Sequence, residues 1–257
     1  AASDGVFLRR VSLDVLGVLP TPEEARAFID SRDPQKVETT VDRLLARREF
    51  AEFWAMKWAD VMQGNRQAVS ERGVHSLHRY LVRHFDQDRS FARLAREMLT
   101  SVGNTIHNPP ANFYRISRTP TAAAESMSQL FLGVRIQCAR CHNHPYEAIT
   151  QDDYFGLAAY FARVKLKGQR FGRDDEIVYL GRSGEVKHGA SGVVMQPAAF
   201  GTAMGKLGPA DDPRGRLADW LEAPANRWFA RSTVNRIWYH LFGLGLVEPV
   251  DDFRDSN

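Results

Sequence analysis

One device recurs along this chain and constrains its fold more than any other feature: the punctuation of helices. At Thr21-Pro22-Glu23-Glu24 a threonine precedes a proline, and a glutamate stands three residues after the threonine. A threonine hydroxyl at the cap accepts from the third helical amide while the glutamate reaches back to the cap amide. Proline loses nothing at a first helical position, whose N–H has no intrahelical partner. Asp33-Pro34 and Asp212-Pro213 repeat the device, and Ser90 and Thr150 stand as caps before apolar segments. Stops are equally plain: Gly17 followed by Pro20, and Gly243 with Gly245, glycine being the residue that takes a left-handed cap without strain. Between these marks the apolar spacing predicts helices over 7–16, from Pro22 onward, from Asp33-Pro34 through Val37, Val41, Leu44 and Leu45, and over 50–62, 74–85, 91–99, 121–132 and 151–163. Two more follow, from Asp212-Pro213 through Leu217, Trp220 and Leu221, and over 226–242. The stripe of Phe53, Trp54, Met56, Trp58 and Val61 has the spacing of a buried helix face.

Two stretches break the pattern. Residues 103–118 contain Asn108-Pro109-Pro110, which cannot be helical. Residues 165–199 alternate polar and apolar side chains between glycines, with 177–180 and 192–195 reading as short strands. The expected fold class is therefore mainly α: a multi-helix body with a small β-rich insertion.

Composition excludes several functions. The chain has 257 residues, 44% hydrophobic and 25% charged, which suits a core-forming globular protein. Its net charge is +3, and its 28 arginines and 6 lysines are scattered among acidic residues without a like-charge block, so no nucleic-acid partner is expected. The longest apolar runs, such as 130–134, fall far short of the roughly 18 residues of a membrane span. The opening Ala1-Ala2-Ser3-Asp4 is small and polar, as the mature end of an exported protein would be.

Both cysteines lie in Gln137-Cys138-Ala139-Arg140-Cys141-His142-Asn143-His144-Pro145. Cys-x-x-Cys-His is the attachment signal for c-type haem. Two thiols at this spacing reach the two vinyl groups of one porphyrin, and the following imidazole serves as proximal iron ligand. Three rivals share these residues. A thioredoxin-like pair needs a βαβ setting. A disulfide closing so small a loop stabilises little. A zinc site would use Cys138, Cys141 and His144 with a fourth, distant ligand. Haem is the reading preferred, as one covalent haem c.

The quoted residues resemble a known family. Residues 7–14 (Phe-Leu-Arg-Arg-Val-Ser-Leu-Asp), 17–24 (Gly-Val-Leu-Pro-Thr-Pro-Glu-Glu), 131–145 around the cysteines, and 150–161 (Thr-Gln-Asp-Asp-Tyr-Phe-Gly-Leu-Ala-Ala-Tyr-Phe) are similar to the planctomycete-type cytochrome c domain of large exported proteins. Residues 235–247 and 249–254 resemble the start of the companion domain that follows it. The resemblance implies a periplasmic or extracellular location, a haem c and a redox role. With the change of pattern after 164, the expected organisation is a helical haem-binding domain over 1–164, the β-rich insertion over 165–207, and the helical start of an incomplete companion domain over 208–257. In similar proteins the companion domain runs well past this point, which leaves a processed, a truncated and an incompletely determined product all open.

The distal side of the iron decides between electron transfer and catalysis, because two protein ligands favour the first and an open face the second. Met195, in a segment able to fold over the ring, is the preferred distal ligand, with His107 as the alternative and His188 a weaker one. His144 is too close to His142 to reach the opposite face. Arg135 and Arg140 are candidates to pair with haem propionates. The function expected is a monohaem electron-transfer protein with an unidentified redox partner, without a membrane span, in a homo-oligomer or a larger exported assembly. The alternatives are the zinc-stabilised interaction module and a peroxidase-type enzyme.

Overall fold

The computed structural model describes residues 2–145, 148–169, 172–200, 202–203 and 211–254. It is mostly helical (58%) with one small three-stranded sheet. The chain divides into two compact units, one of residues 1–61 and 78–89, the other of residues 62–77 and 90–257.

The first unit holds α1 (Asp4–Leu16), α2 (Pro22–Asp30), α3 (Lys36–Leu45) and α4 (Arg48–Val61), with the later part of α5 (Arg66–Asp86). α1 packs against α2, α3 and α4, burying Leu8, Leu16, Phe28, Leu44, Ala51, Ala55 and Trp58. The capping box at Thr21 forms in full, with Glu24 answering the Thr21 amide at 2.8 Å. Gly17 ends α1 at φ 71°, and a Cβ there would stand 2.4 Å from the Phe53 ring, so both backbone and packing exclude a side chain. Asp33 does not cap α3. Its carboxylate accepts from the Gln35 amide in a turn, and the helix begins only at Lys36. α5 begins at Arg66, eight residues before the spacing predicted. It is broken at Ser70, with φ 64°, which hides its first turn from a periodicity argument.

The second unit contains the cysteines. α6 (Phe91–Thr100), capped by Ser90, packs against α10 (Pro213–Glu222), capped by Asp212. α8 (Pro120–Met127) widens at its end into a π turn, Ser128–Leu132, closed by Gly133 at φ 67°. A Cβ on Gly133 would meet Phe253 at 2.7 Å and Ser232 Oγ at 2.9 Å. Only glycine therefore lets the tail, whose Phe253 amide donates to Gly133 O at 2.7 Å, close against this turn. α9 (Gln151–Ala159) packs on α8 and buries 154–159 without a break, as a helix enclosed on all sides must.

The sheet has the order β1-β3-β2, with β1 (Gly103–Asn104), β2 (Val164–Gln169) and β3 (Gly172–Leu180) all antiparallel. β3 contains the strand expected over 177–180, and its antiparallel partner β2 is a strand that the sequence reading did not place. β1, from the Asn- and Pro-rich stretch, pairs Gly103 with Val178 and Asn104 with Ile177. Such a pairing over more than seventy positions leaves no local trace. The strand expected over 192–195 is absent: one bridge, Lys187 to Val194, ties that segment into a loop. β4 (Ala198–Ala199) and β5 (Thr202–Ala203) pair antiparallel, β4 lying on α9 with Ala198 against Gly156. α11 (Arg227–Phe242) ends at Gly243, φ 77°. No described helix is long and apolar enough to cross a membrane.

Candidate functional site

Ala139 and Ile136 are fully buried and anchor a 3₁₀ turn over Gln137–Arg140. Cys141 follows as its cap, with its amide donating to Cys138 O at 3.3 Å, and the His142 amide approaches the same oxygen at 3.4 Å. Cys138 lies within this turn and Cys141 caps it, and both are exposed and free. The buried residues between and before them hold the turn while the thiols face solvent.

His142 is exposed, and its Nδ1 lies 2.7 Å from Asn143 O. A carbonyl oxygen only accepts, so Nδ1 carries the proton and Nε2 keeps its lone pair. This is the tautomer that a ligating histidine takes when its other nitrogen is fixed by the backbone. Asn143 is held in turn, its Oδ1 accepting from the Gln151 amide at 3.1 Å at the start of α9. The Gln151 side chain donates to Arg140 O at 3.3 Å. Thr150 caps that helix through a capping box with Asp153, so the acidic residues here serve the helix start. These features fit a covalently held haem: two accessible thiols three residues apart, one imidazole with a free Nε2, and a turn anchored by buried neighbours.

The zinc set is not assembled. His144 is buried, its amide donating to Ile149 O at 2.8 Å, while Cys138 and Cys141 are exposed. Among the described residues no three His, Cys, Asp or Glu side chains are placed to hold a metal ion. Nor is the setting that of a thioredoxin: the described strand pairs are all antiparallel, leaving no parallel βαβ unit for the cysteines.

The remaining site residues separate. Arg135 is engaged by the tail, its Nη2 bonding Asp251 Oδ1 at 2.6 Å. Arg140, on the turn itself, is exposed. His107 is exposed beyond β1, its amide donating to Asn104 Oδ1 at 3.2 Å, a site belonging to the sheet edge. Met195 is half-buried, its amide donating to Val186 O at 2.8 Å. It lies on the returning arm of a loop whose tip comes to the motif, since a Cβ on Gly189 would stand 3.7 Å from Arg140 O. In that loop His188 Nδ1 accepts from the Ala190 and Ser191 amides, each at 3.2 Å. Its Nε2 therefore carries the proton and faces the exposed Asp152 Oδ1 at 3.6 Å, while Nδ1 ties the ring to its own loop. Met195, the preferred distal candidate, thus belongs to the loop that reaches Arg140, and His107, the alternative, to the sheet edge.

A buried cluster that the sequence did not signal stands at α10. Arg214 is completely inaccessible and makes paired contacts with Asp212 at 2.9 and 2.8 Å. It also donates to Tyr114 Oη at 3.1 Å, Thr100 O at 3.1 Å and Ser101 O at 3.3 Å. The Tyr114 hydroxyl donates to Leu99 O, and burial raises its pKa to about 12 despite the arginine beside it.

Two family models match. PSCyt2, a protein of unknown function (DUF1549), matches residues 1–166. PSD1, a protein of unknown function (DUF1553), matches residues 213–257. They are the planctomycete cytochrome c domain and its companion, in agreement with the resemblance seen in the sequence. No curated protein and no solved structure matches the chain.

Proposed function

The chain belongs to the PSCyt2 family, and from that premise we propose that it is a monohaem c-type cytochrome that transfers electrons in the cell envelope, in the periplasm or outside the cell. The observation that carries this reading is the pairing of two exposed thiols, three residues apart at one 3₁₀ turn, with an imidazole whose Nδ1 proton is held by Asn143 O. The family's name supports a cytochrome-like role. Cys138 and Cys141 would hold the group covalently and His142 would offer Nε2 to the iron. The haem, when bound, supplies a one-electron couple. Asn143 and Gln151 orient the imidazole and the turn. Arg140 is free to answer a propionate, whereas Arg135 is already answered by Asp251. Met195 is the distal ligand favoured over His107, because its loop reaches the motif, and a second protein ligand suits electron transfer better than catalysis.

The test is a pyridine haemochrome spectrum with an intact mass, on protein matured in cells that possess a haem-attachment system. A c-type spectrum and a mass increase of one haem are expected; absence of the adduct refutes the reading. The distal assignment has its own measurement: Met195→Ala should turn a low-spin haem high-spin, and an unchanged spectrum removes Met195. A high-spin spectrum in the unaltered protein would favour an open-faced haem enzyme instead.

A further inference from the structure

We propose that a cavity at the start of α11 binds a carboxylate carried on a flat conjugated body, with Arg227 and Arg231 as its anion clamp. The cavity's lining contains neither cysteine nor His142. The cavity encloses about 390 Å³, within the range of roughly 300 to 1,000 Å³ common to small-molecule sites.

Its walls include the aromatic rings of Phe200, Trp228 and Phe253, with Arg227, Arg231 and Arg254 at its margin. The charges are not equivalent. Arg254 is paired with Asp252. Asp153, the acidic residue on the lining, gives its Oδ2 to the Thr150 amide and hydroxyl at 2.9 and 2.7 Å. Among the described residues neither Arg227 nor Arg231 takes part in an ion pair. They are four apart on α11, so their side chains rise from one face. Like charges so placed repel each other, and an anion between them relieves the repulsion. The Arg227 guanidinium lies over the Trp228 ring, 4.9 Å from its centroid, which steadies its plane and leaves N–H edges for a carboxylate.

The helix end does not do this work, because Asn226 Oδ1 already accepts from the Trp228 and Phe229 amides at 3.0 and 3.1 Å. Cationic forks beside aromatic walls select a flat anion over a bare inorganic one or a neutral aromatic. Two sources carry that chemistry: a free aromatic carboxylate, or the propionates of a haem attached nearby, since Ile149 both lines the cavity and accepts from the His144 amide.

Titration of the haem-free 257-residue chain with 2-naphthoate, followed by calorimetry, tests the site without reference to the haem. Saturable binding is expected, with 2-naphthamide, its neutral counterpart, bound about tenfold more weakly. Arg227→Gln and Arg231→Gln should each weaken naphthoate by about the same factor with unchanged circular dichroism, both side chains being exposed. Arg216→Gln, an exposed change outside the cavity, should leave binding intact. The proposal is overturned if naphthoate does not saturate, if the amide binds equally well, or if both arginine variants keep full affinity. Repeating the titration on haem-carrying protein separates the sources: loss of the site identifies propionates as its carboxylates, and retention identifies a free ligand. Either result upholds the carboxylate assignment.

Discussion

Arg214→Leu is expected to lower the free energy of unfolding by about 3–5 kcal/mol, the magnitude for removing one member of a buried charge pair. The side chain is entirely buried and supplies donors to Asp212, Tyr114 Oη, Thr100 O and Ser101 O. Leucine fills part of the volume but leaves those acceptors without their donor, and each then loses its desolvation compensation. Urea unfolding monitored by circular dichroism reads the change directly. A midpoint unmoved from the unaltered protein would show that α10 is held by its apolar contacts alone. Arg216→Leu, on the same helix but exposed, should change stability by less than about 0.5 kcal/mol.

The same cluster sets an alkaline limit. Tyr114 would ionise at 10.0 in the unfolded chain but at about 12 in the folded one, chiefly because burial disfavours the phenolate. Above pH 10 the unfolded state binds fewer protons than the native state, so the stability this group contributes is complete below 10 and is lost as pH rises toward 12. Tyr114→Phe, which cannot ionise, should flatten that part of the stability profile; a decline as steep as before would assign the alkaline loss to other groups.

The second large effect is chemical. In protein matured with a haem-attachment system, the double change Cys138→Ser and Cys141→Ser should abolish the covalent adduct completely. Each single change should leave one thioether. Because both thiols are exposed and unpaired with each other, the double variant should match the haem-free unaltered chain in unfolding free energy to within about 0.5 kcal/mol. That separates loss of attachment from loss of fold. An adduct surviving the double change would place attachment elsewhere.

Most helix starts were legible because they are written within four residues. Thr21, Ser90, Thr150, Asp212 and Asn226 all accept from amides of the first turn, and Gly17 and Gly243 both adopt the left-handed cap. Where a local signal had two uses, reading it went astray. Asp33 closes a turn and does not cap α3, and the glycine-flanked 192–195 has strand-like alternation but no strand partner beyond one bridge. The Cys-x-x-Cys-His motif was equally legible, being contiguous, and the tautomer of His142 is set by the very next residue.

What no window of sequence contains is the set of partners brought from far away. β1 exists only because β3 presents an edge to it. Arg135, which spacing offered to a propionate, is taken by Asp251 more than a hundred positions on. His144 reads as a metal ligand by spacing, yet it is buried while the thiols are exposed, and the described residues gather no metal-holding group of three. Arg214 and the cavity beside Arg227 and Arg231 are likewise products of packing between distant segments. The sequence by itself determined the order of helices, their caps and the haem-type motif, since each depends on hydrogen bonds and side-chain directions within a turn or two. Tertiary structure alone decided which charges are answered, which ligands can meet and where a cavity is left, because those depend on burial shared between residues that the chain keeps apart.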